Sequence, residues 1–373
     1  MAVYKIFPTK DASIYSLYPS RNTGLDEILE ASTVVNSLSS SPQASRFLVQ
    51  FSDTEIDDII DNKISGSAWQ ANFRGFVANL EGLNITTTLA FYPVSAPWDM
   101  GTGKYLYSPE YTNGVSWTYR TYSGSTSWTT SGFGSYITAS YGTELGGGTW
   151  YTGSANATVL PIFSTQSFAY TDSGDIDVNV TNMVKAWYSG TIDNNGFIAK
   201  QVTEFIDSED YQIEMKFFSN DTHTIYPPQL EFRWRDYIFN TGSSTNTILN
   251  TQTATIAISE NPGTFYLDSV NKFRVNSRPT YPARVFQTSS LYTINYYLPT
   301  ASYYAVKDLD TNEFVIDFDN QYTQLSADGT SSYFTLYMNG LEPERYYKIL
   351  IKTIIDGSTI IFDNDYYFKI VNG

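Results

Sequence analysis

Cysteine is absent from the 373 residues. Disulfides, thiolate metal sites and cysteine nucleophiles are therefore excluded together. Histidine is nearly absent: the single copy is His223. No G-x-S-x-G elbow precedes it, so a surface loop histidine is expected rather than a triad member. A zinc site would need mostly carboxylates, an unusual ligand set. Positive charge is scarce as well. The 22 Lys and Arg stand against 38 Asp and Glu, a net charge of -16. That balance argues against nucleic-acid partners, which need a basic footprint, and against anionic membranes. No apolar run approaches the roughly 20 residues of a membrane-spanning helix. The opening MAVYKIFPTKDASIY has no basic segment followed by an apolar one. Synthesis in a cytoplasm is the expectation.

Aromatic residues are abundant, with 31 Tyr, 23 Phe and 7 Trp. Such side chains suit pleated, half-buried surfaces, and the fold class expected is all-β. The length implies two or three cores. A composition shift around FNTGSSTNT, residues 239–247, divides the chain into a first domain at 1–236, a linker at 237–252 and a second domain at 253–373. In the second domain short alternating runs are punctuated by Pro262-Gly263, Asp328-Gly329, Asn339-Gly340 and Asp356-Gly357. These signals predict an antiparallel sandwich of about seven strands. LEPERY, residues 341–346, resembles the tyrosine corner of fibronectin type III and immunoglobulin-like sandwiches, with Tyr346 as the corner tyrosine.

In the first domain, Phe47, Val49 and Phe51 fall on one face of a strand. The clearest helix signal covers residues 53–62, with Ser52 or Asp53 as cap and Ile56, Ile59 and Ile60 as its apolar stripe. Residues 175–200 read as strand, short helix, turn and strand. Ile176, Val178 and Val180 alternate with Asp175, Asp177 and Asn179; Thr181 or Asn182 then caps a helix with Val184 and Trp187 on one face.

Residues 98–153 are rich in Gly, Ser, Thr, Tyr and Trp and show little periodicity. A stretch of that length is expected to be an elaborated loop region with short strands. It carries the candidate binding residues Trp98, Tyr105, Tyr107, Trp117, Tyr119, Tyr122, Trp128, Tyr141 and Trp150. Such rings stack on sugars, anchor protein interfaces or pack on their own domain. No catalytic residues are assigned. Asp99, Glu110 and Glu144 are the acids a glycosidase would use, but nothing raises them above ordinary loop acids. No cofactor is expected. Calcium is the one metal worth considering, at Asp172, Asp175 and Asp177 or at Asp207 and Asp210, where solvated acidic turns are the commoner outcome.

Four pieces occur in an order that resembles the DNRLRE family of jelly-roll domains, which are grouped with carbohydrate-binding modules. They are PTKDASIY at 8–15, Asn22-Thr23-Gly24, RFLVQF at 46–51, and DVNVT at 177–181 with Val184, Trp187 and the turn Asn195-Gly196-Phe197. Thr23 replaces the family's aromatic, and the loop region is longer than usual. The resemblance implies an N-terminal jelly-roll β-sandwich with one or two short helices, followed by the immunoglobulin-like sandwich. Members occur in polysaccharide-degrading enzymes, bacterial surface proteins and phage virion proteins. The acidic, cysteine-free composition suits the last group. The expected function is therefore a non-enzymatic virion structural protein of the tail, baseplate, neck or a head appendage, located in the virion. Its partners would be other virion proteins and copies of itself in a symmetric assembly. A carbohydrate-binding module or adhesin recognising surface glycans is the alternative, and a glycoside hydrolase the third.

Overall fold

The computed structural model describes residues 2–35, 42–66, 68–83, 85–121, 126–128, 137–138, 146–151, 162–204, 212–242, 247–281 and 296–372. The chain is all-β and of the β-sandwich class, with short helices. It forms two compact units. The first comprises Ile6–Lys63 and Gln70–Glu231; the second comprises Met1–Lys5, Ile64–Trp69 and Phe232–Gly373.

In the first unit one sheet has the order Ser164–Phe168, Thr87–Pro93, Phe197–Gln201, Pro42–Gln50, Lys10–Tyr15, every pair antiparallel. Facing it are residues 72–75 paired with Ile176–Asn179, and the sheet Ile28–Glu30, Glu214–Phe218, Val77–Glu81. Phenylalanines from both layers fill the space between. The Phe73 ring lies 4.7 Å from Phe197 and 6.0 Å from Phe91, and Phe47 lies 5.9 Å from Phe217. The alternation in Ile176–Asn179 is realised as drawn, apolar residues buried and polar ones exposed.

Ser52 caps the helix Asp53–Asp58, its hydroxyl accepting from the Glu55 amide at 3.4 Å. The helix widens into a π turn at Ile59–Lys63, and Ile56 and Ile59 are buried. The second helix, Thr181–Tyr188, differs from the sequence expectation at its start. Val180 occupies the cap position, and no side chain bonds from it. The Asn179 side-chain Oδ1 accepts from the Thr181 amide at 3.0 Å, while the Thr181 hydroxyl accepts from Ala71 N at 2.9 Å. A threonine engaged by the neighbouring strand cannot also cap its own helix. Val184 and Trp187 are buried on one face, as expected.

The second unit is also a sandwich. One sheet has the order Thr247–Ile248, Tyr296–Tyr297, Val270–Pro279, Ser332–Tyr337, Ser326–Ala327, with Ala254–Ser259 also paired to Val270–Pro279. The other has the order Thr264–Tyr266, Ser358–Val371, Tyr346–Ile355, Ser302–Asp308, Phe314–Ile316. Their facing sides share one core, in which Phe334 stacks on Phe273 at 5.1 Å and on Tyr304 at 4.3 Å. Part of the stretch read as a linker runs along this fold. Asn240 N donates to Ala327 O at 3.0 Å, Ala327 N donates to Ile238 O at 2.8 Å, and Leu249 is buried.

The corner of this sandwich is made by Tyr347, not Tyr346. Tyr346 is 52% exposed, whereas Tyr347 is 1% exposed and its hydroxyl donates to Glu342 O at 3.2 Å. The first residue of the strand Tyr346–Ile355 points outward, so the inward position is the second. Arg345 braces the corner through a two-pronged ion pair with Asp308, Nε to Oδ2 at 2.7 Å and Nη2 to Oδ1 at 2.8 Å. Burial pushes the Asp308 carboxyl up, but Arg345 and the amides of Asp310 and Thr311 outweigh it, leaving the carboxyl below its ordinary value.

Removing the corner hydroxyl by Tyr347→Phe is expected to lower stability by about 1 kcal/mol. Tyr346→Phe is expected to change it by less than about 0.5 kcal/mol. Urea denaturation of both variants checks the assignment.

Candidate functional site

The strand Pro42–Gln50 is buried almost end to end, on both faces. Phe47 and Val49 face the phenylalanine core. Leu48 faces the other way, with Ala12, Ile14 and Ile198, onto a layer made by Trp98, Val115, Trp128 and Trp150. The long aromatic region is thus a cover over the outer face of the sheet. Two of its buried indoles are hydrogen-bonded: Trp98 Nε1 donates to Asn195 O at 2.9 Å and Trp128 Nε1 to Ser116 O at 3.0 Å.

Beneath this cover lies Arg46, fully buried. Its Nε donates to Glu204 Oε1 at 3.0 Å and its Nη2 to Glu204 Oε2 at 2.7 Å. Its Nη1 donates to the Gly147 carbonyl. The guanidinium carbon stands 4.6 Å from the centre of the Trp117 ring and 5.2 Å from that of Trp150. Lys200 Nζ adds a second cation, 2.9 Å from Glu204 Oε2. Burial holds the Lys200 amine below its ordinary value, against the opposing pull of Glu204. Gly147 has φ 76°, and a Cβ there would fall 2.5 Å from Arg46 Nη1. The Arg46–Glu204 pair at the centre of this constellation is buried, and its contacts tie the cover to the sheet.

A second anchor is Asn22, also fully buried. Its Nδ2 donates to Met100 O at 2.7 Å and Val115 O at 2.8 Å; its Oδ1 accepts from Gly103 N at 2.8 Å and Gly24 N at 3.3 Å. Its backbone amide donates to Tyr111 O at 3.0 Å. Gly101 packs on the same side chain at φ 79°, and a Cβ would stand 2.3 Å from Asn22 Oδ1. One asparagine therefore closes both ends of the loop 100–115. The tip of that loop is solvent-facing, with Leu106 81%, Tyr107 64% and Tyr111 46% exposed.

Behind the tip is a cleft of about 510 Å³, lined by Tyr15, Asp26, Glu27, Ile28, Glu30 and Lys216 on one side and residues 104–107 on the other. Tyr105 stacks on Tyr15 with ring centres 4.5 Å apart. Its amide donates to Asp26 Oδ2 at 3.0 Å. Arg21 lies 4.3 Å over the Tyr18 ring and donates to Tyr105 O at 2.6 Å. Glu30 accepts from Ser45 Oγ at 3.2 Å and, at 3.5 Å, from Tyr15. Burial pushes the Asp26 and Glu30 carboxyls up. Burial and then the Glu30 charge push the Tyr105 hydroxyl up to about 12. Lys104 donates to Glu27 at 3.0 Å, which holds the exposed Glu27 carboxyl down. Beside the cleft, Asp11 is buried with its Oδ2 accepting from Asn220 N at 2.7 Å; burial raises its carboxyl to about 7.

The aromatic candidates separate by burial. Trp98, Trp128 and Trp150 are buried, Trp117, Tyr119 and Tyr105 half-buried, and Tyr107 exposed; Tyr122 and Tyr141 lie outside the described residues. Only Tyr105 and Tyr107 line the cleft. Leu106, Asp26 and Glu30 escape a reading that weighs aromatic type alone; Tyr111 carries that signal but is not among the candidates. Asn22 and Arg46 stand in the quoted motifs, where the sequence reads them as marks of fold. Asp99 and Glu110 are exposed, Glu110 lying 3.6 Å from Arg21, and Glu144 lies outside the described residues. His223 is exposed, 3.7 Å from Glu27. Among the described residues no group of three His, Asp or Glu side chains is arranged to hold a metal ion. Asp172 and Asp175 accept from the amides of Ala169 and Val77, Asp177 from the side chain of Asn72; Asp207 and Asp210 lie outside the described residues.

No family model matches the chain, and no curated protein matches it. Among solved structures, the crystal structure of a beta-glucuronidase from Parabacteroides merdae is similar at 8% identity and a TM-score of 0.16. The match covers 84% of this chain and 30% of that one. A likeness of this size carries no argument about activity.

Asn22→Ala leaves buried amide and carbonyl groups without partners, so a loss of about 2–4 kcal/mol is expected. Faster hydrogen exchange at the Gly103 amide would show that the loop itself has loosened. Asp11 generates a pH dependence. Its folded value lies above the unfolded one, so the folded state binds the extra proton. Its contribution is complete below the ordinary aspartate value near 4 and disappears as pH rises through about 7. Stability should therefore fall between about pH 5 and about pH 8, by about 2–4 kcal/mol more than in Asp11→Asn. Denaturation curves across that range test the sign.

Proposed function

We propose that this protein is a non-enzymatic structural protein of a bacteriophage virion that works by binding neighbouring virion proteins and further copies of itself. The observation that carries the binding role is the contrast within the aromatic region. Its tryptophans are used in covering the sheet, while Leu106, Tyr107 and Tyr111 stand 81%, 64% and 46% exposed on a loop closed by Asn22. Apolar side chains presented from a fixed loop suit an interface. The virion setting rests on the DNRLRE-like motifs and on the acidic, cysteine-free composition, which keeps free subunits soluble before they meet a partner.

Glycan recognition is the second reading. It is favoured by the cleft behind the loop, where Tyr105 and Tyr107 stand beside Asp26 and Glu30. Sugar recognition commonly pairs ring stacking with polar acceptors.

The double variant Leu106→Ser/Tyr107→Ser separates the readings. Both side chains are exposed, so folding should be unchanged, and incorporation into particles should fall at least about tenfold. Normal incorporation of the double variant would reject the assembly reading. A glycan-array signal that the same double variant abolishes would replace it with the second.

A further inference from the structure

The cleft behind the loop is acidic and aromatic together, and its charges are unevenly matched. Lys104 is paired with Glu27 at 3.0 Å and Lys216 with Glu214 at 2.7 Å. Asp26 and Glu30 form no direct ion pair with described residues: Asp26 accepts from the amides of Tyr105, Glu27 and Ile28, and Glu30 from Ser45, Ser32 and Tyr15. The lining thus sets three carboxylates, Asp26, Glu27 and Glu30, against two lysines, Lys104 and Lys216. The lysine ammonium groups bond Glu27 and Glu214 and reach Glu30 and Asp26 only through their field, so a cavity of about 510 Å³ is left with an acidic excess. Tyr107 borders the same space, 64% exposed.

We infer that this cleft receives an arginine side chain presented by a partner protein. The inference rests on the assembly reading above, for which it supplies the partner's chemistry. An anion would meet Asp26, Glu27 and Glu30. A neutral ligand would leave the acidic excess of the lining unanswered. A metal ion is disfavoured because no group of three His, Asp or Glu among the described residues is arranged to hold one. A guanidinium meets both demands: it stacks on a tyrosine face and donates in a fork to carboxylates. The neighbouring residues already bind cations in this way. Arg21 lies 4.3 Å over Tyr18, and Lys104 lies 5.8 Å over Tyr107 while paired to Glu27. The volume admits the side chain together with the backbone on either side. The net charge of -16 favours approach of a basic segment from a distance.

The test is calorimetric titration of the full chain with a tetra-arginine peptide and with the tetra-citrulline peptide, its uncharged counterpart. The arginine peptide is expected to bind at least about tenfold more tightly. Asp26→Asn/Glu30→Gln should erase that preference, and Tyr107→Ser, at an exposed position, should weaken binding about threefold. Asp365→Asn, which removes a surface acid of the second unit, should change nothing, so a loss equal to that of Asp26→Asn/Glu30→Gln would expose general charge attraction and overturn the inference. Equal binding of the citrulline peptide, or displacement of the arginine peptide by a neutral glucan oligosaccharide, would overturn it too. The titration uses the free chain, so its failure is distinct from a failure of the particle-incorporation experiment. Loss of incorporation without arginine binding would leave the assembly reading standing alone.

Discussion

A fully buried cation dictates much of the first unit. The Arg46 guanidinium cannot leave the sheet, and a charge buried without partners would be strongly destabilising. Glu204 supplies the countercharge, the Gly147 carbonyl takes a third donor, and Trp117 and Trp150 offer their faces. The partners come from three separate parts of the chain, at residues 117, 147–150 and 204. Satisfying one side chain therefore draws the glycine run, two tryptophans and the end of the strand Phe197–Gln201 to one place. The cover over the sheet follows from that convergence.

The cover also explains what the sequence did and did not disclose. Alternation announces strands, and it succeeded for Ile176–Asn179, where one face is buried and the other wet. It says little about a strand buried on both faces, such as Pro42–Gln50, whose outer neighbours arrive from about 50 to 100 residues further along the chain. The all-β class was legible from composition, and the Ser52 cap from local order. The start of the second helix was not, because Thr181 is claimed by Ala71, a residue far away in sequence. In the second unit the corner was located to within one position. Which of two adjacent tyrosines turns inward depends on the phase of the strand, and Leu-x-Pro alone does not set that phase.

For the candidate site the balance was similar. Residue type marked the right region, but it could not separate rings that hold the cover from rings that face solvent. Trp98 and Tyr107 look alike in a list of aromatics and are opposite in role: one donates to Asn195 from within the core, and the other stands in solvent. The acids of the cleft carried no local signal, since Asp26 and Glu30 become distinctive only when Tyr105 packs over Tyr15.

The closure of the loop by Asn22 bears on how fast and how selectively any partner could be held. With all the polar atoms of that side chain engaged within the domain, the conformational entropy of ordering the loop is lost once, when the chain folds. A surface readied in this way meets its partner as a rigid template, and association is governed by encounter and orientation. Selectivity then comes from shape, because a template that cannot remould itself rejects a near-miss by leaving gaps.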